Sequence, residues 1–393
     1  MEVTASARPP AIGLIALFLK FLRFGCLAFG GPVAQIAMLR QTLVEEEGWI
    51  DKRRFNRLLA VLQVLPGPEA HELCVHFGVL ARGRIGGLLA GLGFMLPGFC
   101  LMLLVGWLYV SVVQGSAGLG SVLLGVQVAI LAVILRAVVR IGQHVVEDRL
   151  LGLIAVAAAA ATLAGVPFWI PLLVGGGVYA AKARPVLAAA IAVAGVVGAI
   201  GALHIAAPAP AGSVAQPLTI FALFVAGLKG GLLTFGGAYT AIPYVRADTV
   251  GRGWIGDAAF LDGVAFANVL PAPLVIFATF VGFVAGGLAG ALAITLGMFL
   301  PAFAFSLLFF ERLEGIVDAP SLRHALTGIA AAVVGIIAAT FVQLALATAG
   351  RVGAVAIGSG LFAVALFMAW RCKGGWVTPA IVVLGAMVGT LFF

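Results

Sequence analysis

The chain has 393 residues, 63% of them hydrophobic and only 10% charged, where soluble domains carry about 25% charged residues; a soluble globular fold is excluded. Its net charge of +8 sits mostly in loops, as positive-inside topology requires, and does not point to nucleic acid. The cysteines Cys26, Cys74, Cys100 and Cys372 are scattered without CxxC or metal-ligand spacing, which reads as packing and offers neither a metal site nor a redox centre.

The opening MEVTASARPP is polar and lacks the succession of regions that marks a removable signal peptide, so the first helix is expected to direct insertion. Apolar stretches follow at 85–111, 120–142, 185–206, 286–310, 325–348 and 375–393, each of about 20 residues, enough for a helix to cross roughly 30 Å of hydrocarbon. Such continuous runs do not fit the alternating strands of a barrel. The expected fold is an all-α polytopic membrane protein with about 10–13 membrane segments.

The first apolar segment carries Lys20 and Arg23 and is then broken by LAFGGPVAQI at 27–36. The same device recurs as LTFGGAYTAI at 233–242, and placing Phe29-Gly30-Gly31 on Phe235-Gly236-Gly237 brings the rest of the chain into register. GWID at 48–51 answers GWIGD at 253–257, VLPGP at 64–68 answers VLPAP at 269–273, and GFMLPGF at 93–99 answers GMFLPAF at 297–303. Two homologous repeats are therefore expected, over 11–184 and 217–393, separated at 185–216 by one extra helix and the linker APAPAGSVAQP. If each repeat crosses an even number of times, the extra crossing inverts the second copy. The loop at 40–57 holds five cations and its partner at 246–262 only Arg246 and Arg252, which places the corresponding loops on opposite sides, the first inside.

Glycine just past a helix end and proline at its first position are the punctuation of helix termini. Pro32 and Pro68 then begin new helices inside the membrane, and such a start offers unpaired N–H groups and a positive dipole end to an anion. Discontinuous helices at mirrored positions point to a transporter's binding site near mid-depth. The expected site thus includes Gly30, Gly31, Gly236, Gly237, Gly67 and Pro68. Arg23 and Lys229 lie in register, each six residues before the FGG phenylalanine, and are expected to neutralise a small dianion from opposite repeats. Lys20 reads more simply as snorkelling to an interface.

Gln63 and Asn268 are also in register, each three residues before its PxP proline, and offer either donors to an oxyanion or a hydrogen bond across helices. After the first PxP, EAHELCVHF carries Glu69, His71, Glu72 and His76, where the second half is apolar. Glu69 caps its helix or titrates beside the anion; Glu72 and His71 are further proton-coupling candidates, with a structural histidine the alternative. Asp51 and Asp257 read as N-caps, and Glu45, Glu46 and Glu47 as a solvated loop.

These motifs resemble the CHR superfamily of chromate ion transporters in its long, two-domain form. FGGPVAQIAMLRQTLVEEEGWID, LPGPEAHEL and GFMLPGF carry the resemblance in the first half, and TFGGAYTAIPYV, GWI and ANVLPAP in the second. It implies export of chromate across the bacterial inner membrane and resistance to chromate, with sulfate as the related anion; molybdate would use the same features. One departure is Ala272, where the family pattern favours glycine. The expected partners are the oxyanion and the lipid bilayer, with a homodimer open and no nucleic acid, cofactor or enzymatic step. A secondary transporter, such as an antiporter, is the leading reading and an anion channel the alternative; with no nucleotide-binding loop in the sequence, transport is expected to draw on an ion gradient or the membrane potential.

Overall fold

A computed structural model describes residues 9, 11–62, 67–113, 117–205, 217–235, 237–308, 320–372, 374 and 376–393. Every regular element among them is helical. The first repeat comprises α1 (Leu14–Cys26), α2 (Gly31–Leu39) running into a π-helical turn Arg40–Glu46, α3 (Lys52–Leu62), α4 (Glu69–Leu108), α5 (Ala117–Val145), α6 (Arg149–Leu163) and α7 (Trp169–Ala180). The extra helix α8 (Pro185–Ile205) follows. The second repeat comprises α9 (Ile220–Leu232), α10 (Ala241–Thr249), α11 (Asp257–Val269), α12 (Phe277–Leu308), α13 (Pro320–Ala349), α14 (Val355–Arg371) and α15 (Val377–Phe392).

α4 and α12 are each two helices folded back on one another. The backbone leaves the helical region at Arg82 and Gly83 in the first and at Gly286 and Gly287 in the second. Gly83 at φ 63° and Gly287 at φ 62° occupy the left-handed region that glycine enters without steric cost. The Thr279 and Thr295 hydroxyls lie 2.7 Å apart, although sixteen residues of straight helix would separate them by roughly 24 Å. Glycines make the hairpins close: a side chain on Gly78 would collide with Gly86, and one on Gly282 with Gly290.

These turns place the breaks in depth. α1 runs beside the outgoing arm of α4, from Ile12, whose carbonyl accepts from Arg82, to Gly25 against Phe94. Phe94 stands about 15 Å along that arm at 1.5 Å per residue, half of the hydrocarbon thickness. α9 follows the outgoing arm of α12 in the same way, ending with Gly231 on Met298. α2 and its π-helical turn bring the chain back, because Glu47 pairs with Lys20 and accepts from Trp49 Nε1 at 2.8 Å. α3 then rises and the first arm of α4 descends against it, with Phe55 and Phe77 stacked at 6.4 Å.

The long helices set the symmetry. α5 packs against α14 and α15 of the other repeat, while its counterpart α13 packs against α6 and α7. Arg351, just beyond α13, donates to Gln127 Oε1 near the start of α5 at 2.6 Å. At the other end of α5, a Cβ on Gly142 would lie 3.5 Å from Val334. Rising numbers in α5 meet falling numbers in α13, so helices at equivalent places run antiparallel. The repeats are inverted about an axis perpendicular to these helices. Among the described residues five helices are long and apolar enough to cross a membrane, among them 185–204, no residue of whose apolar window is fully buried by the rest of the chain.

Asp51 caps α3, accepting from Arg54 N–H at 2.8 Å, and that bond holds its carboxyl below the usual range. Asp257 does not cap α11 as expected. Gly256 is the N-cap, and Asp257 pairs with Arg246 at 2.7 Å. The acidic run at 45–47 is likewise tied down, with Glu45 on Arg40 and Glu46 on Gln41 besides the bonds of Glu47.

Candidate functional site

The breaks of the two repeats meet crosswise. Gly67 N–H, in the first PxP break, donates to the Thr234 carbonyl beside the second FGG break at 2.9 Å. The reciprocal pair, Ala28 and Ala272, is bridged by Gln35, whose Nε2 donates to the two carbonyls at 2.9 and 2.8 Å. Four helix ends are thereby gathered where the repeats touch.

Beside this crossing lies a cavity of about 470 Å³. Gly30, Gly31, Pro32 and Val33 at the start of α2 form one wall, Glu69 at the start of α4 another, and Gly237, Ala238 and Tyr239 ahead of α10 a third. Three helix or turn N-termini thus border one space, each with the backbone N–H groups that favour an anion. The fourth wall is α5, which contributes Val133, Arg136, Ala137, Arg140, Ile141, His144 and Val145. Arg136, Arg140 and His144 recur every fourth residue, the spacing that lays side chains along one helix face. Among the described residues neither arginine forms an ion pair. By the 204 residues between the hairpin turns Gly83 and Gly287, the answering positions in α13 are Thr340 and Leu344. The cationic face therefore comes from the first repeat.

A smaller extension of about 30 Å³ continues inward past Gly30, Gly31 and Tyr239 to Asn268 and Ala272. There the Tyr239 hydroxyl donates to Asn268 Oδ1 at 2.6 Å, and Asn268 Nδ2 donates to the Val264 carbonyl at 2.8 Å. Both ends of the amide are thus engaged. At the opposite end, Arg140 and His144 are exposed, so the cavity opens at the C-terminal end of α5. Asp148 caps the next helix just outside, and the Leu151 N–H and Tyr179 hydroxyl hold its carboxyl below the usual range.

Of the residues singled out in the sequence, Gly30, Gly31, Gly237, Asn268 and Glu69 come together around this space. Gly67 and Pro68 lie at the crossing, Pro68 as the N-cap of α4. Gly236 and Gln63 lie outside the described residues. Behind Glu69, His71 is fully buried, edge-on to Phe299 and Phe303 at 4.9 and 4.7 Å. Glu72 is also fully buried, and among the described residues neither of its carboxylate oxygens has a hydrogen bond. Arg23 and Lys229 are not among the lining residues. Arg23 projects from the exposed side of α1, and Lys229 is neutralised by Asp248 at 3.0 Å, a carboxylate it shares with Arg252.

The cations that do line the cavity, Arg136 and Arg140, went unread because 120–142 looks like an ordinary span. The i, i+4, i+8 recurrence of Arg136, Arg140 and His144 was the available signal. Among the described residues no group of three or more His, Cys, Asp or Glu is placed to hold a metal ion.

The family described as "Chromate transporter" matches residues 15–181 and again 221–390. A "Chromate transport protein" of Pseudomonas aeruginosa is 51% identical, with 100% of this chain and 95% of the relative covered. A second "Chromate transport protein", from Cupriavidus metallidurans, is 30% identical over 86% of this chain and 84% of its own. A "Probable chromate transport protein" of Synechococcus elongatus is 28% identical over 98% of this chain and 97% of its own. No solved structure matches the chain.

Proposed function

The chain belongs to the chromate transporter family, and we propose that it carries chromate out of the bacterial cell through the cavity between its inverted repeats, conferring resistance. It is a multi-pass membrane transporter, and the observation that carries the site is the cavity itself. N–H-bearing helix starts from both repeats and Arg136 and Arg140, which form no ion pair among the described residues, surround one space at the level where the breaks cross. Taking a dianion out of water without such partners is prohibitive, and arginine's planar fork suits two oxygens of a tetrahedral oxyanion.

The cavity mouth, at the C-terminal end of α5, lies at the same end as the Arg82–Gly83 turn, the start of α6 and the Lys182–Arg184 loop. The positive-inside rule assigns that basic end to the cytoplasm, and the bacterial inner membrane is the proposed location. The cavity then faces the side from which a dianion leaves under an inside-negative potential, which contributes roughly 2.3 kcal/mol per charge per 100 mV. Glu69, in the cavity, with Glu72 and His71 behind it, forms the route by which protons couple to the anion. Sulfate and molybdate share the shape and charge that the site reads.

Uptake of labelled chromate, sulfate and molybdate into proteoliposomes under imposed pH and voltage gradients tests the proposal. Saturable chromate flux that follows the imposed potential supports a carrier. Non-saturating flux at channel rates, or none, contradicts it.

A further inference from the structure

We infer that Gln35 is a positioning residue for the anion, one that takes up the carbonyl oxygens of two breaks and keeps their negative ends from opposing an oxyanion. This rests on the oxyanion-transport reading above. A broken helix brings two opposite ends to one place: the new helix offers N–H groups, but the old one leaves unpaired carbonyls. An anion site needs the first without the second.

In the second repeat the backbone meets this need. The Thr234 carbonyl, after α9, accepts from Gly67 N–H at 2.9 Å. Gly67 does so at φ 151°, a conformation that residues with a Cβ rarely adopt. The inverted symmetry carries Thr234 onto Ala28 and Gly67 onto Ala272. Among the described residues no non-glycine has a positive φ, so Ala272 does not copy Gly67, and no bond from its N–H to the Ala28 carbonyl forms. Gln35 fills the gap. Its side chain is 1% exposed, and Nε2 donates to both Ala28 and Ala272 at 2.9 and 2.8 Å. Because both neighbours are acceptors, the amide nitrogen must face them, and among the described residues Oε1 is left without a partner. A buried unpaired oxygen is costly, which marks the donor at this point as the reason for a glutamine. The position answering Gln35 in the second repeat is Ala241, where the backbone already supplies the bond. Ala272 also lines the inner extension with Gly30 and Gly31, so the tied carbonyl borders the anion's path.

The test is chromate uptake by proteoliposomes of the parent, Gln35→Met, and Gln35→Met with Ala272→Gly, each checked by thermal melting in detergent. Methionine keeps the length and loses the donor. We expect Gln35→Met to raise the half-saturation concentration roughly tenfold with a smaller change in maximal rate, the effect of leaving buried carbonyls unpaired. Ala272→Gly frees the backbone to donate as Gly67 does and should recover much of that loss, a rescue that mere repacking would not give. A half-saturation concentration for Gln35→Met within about twofold of the parent, or a loss that Ala272→Gly leaves untouched, overturns the inference alone. Absence of uptake by the parent removes the transport reading and this inference with it.

Discussion

Gly67 donates its backbone N–H to the carbonyl of Thr234 at 2.9 Å, and this bond joins the PxP break of one repeat to the FGG break of the other. With its counterpart, in which Gln35 links Ala28 to Ala272, it fixes four interrupted helices around one point. The interruptions that would be defects in a continuous membrane helix become a shared boundary, satisfied from across the symmetry axis.

Inversion makes a positional prediction. In a cysteine-free background, Gly142→Cys with Val334→Cys should cross-link under mild oxidation, since a Cβ at Gly142 lies 3.5 Å from Val334. Gln127→Cys with Val334→Cys should not, because Gln127 meets Arg351 at the far end of the pair. The reverse pattern would mean parallel repeats.

Lys229 and Arg23 should matter less for binding than their sequence register suggests. Lys229→Ala removes one of two cations on Asp248, leaving Arg252 at 2.9 Å. Asp248 is itself buried, but Arg252 still neutralises it, so a fall in melting temperature is expected, with chromate half-saturation unchanged. Arg23→Ala should be near the parent in both. A large rise in half-saturation for either variant would place these cations on the anion's route.

The carboxylates are separable by position. Glu69 borders the cavity and Glu72 is buried behind it, without a hydrogen bond among the described residues. If they carry the coupling proton, Glu69→Gln and Glu72→Gln should each flatten the pH dependence of chromate flux while the protein stays folded in the membrane. Profiles that keep the parent's shape in both variants would assign the two residues to capping and packing.

Much of this arrangement was legible as punctuation. Glycine and proline at 30–32 and 66–68, repeated at 236–237 and 271–273, located the breaks, and the order of anchors located the repeats. The hairpin turns at Arg82–Gly83 and Gly286–Gly287 were not read: the apolar stretches begin at 85 and 286, but the edge of a stretch does not say that the helix before it folds back against it, which one left-handed glycine suffices to do. Arg136 and Arg140 were missed for a related reason. Hydropathy averages over a helix and so hides two charges on one face, whereas pairing Arg23 with Lys229 relied on sequence register, which does not say where a side chain points. Asp257 shows the same limit, since its partner Arg246 comes from the preceding helix rather than from its own first turn.

On the proposed reading Arg136 and Arg140, in the cavity wall, hold the oxyanion between the repeats. The most direct measurement is binding and uptake of labelled chromate by purified parent, Arg136→Ala and Arg140→Ala protein, with Arg136→Lys alongside. Each alanine variant should weaken binding by roughly tenfold or more, as loss of a charge-assisted hydrogen bond to an anion does, and should abolish resistance in cells. Lysine, which keeps the charge and loses the fork, should retain part of the activity. If both alanine variants insert, fold and bind chromate as tightly as the parent, the anion is held elsewhere and the cavity is not its site.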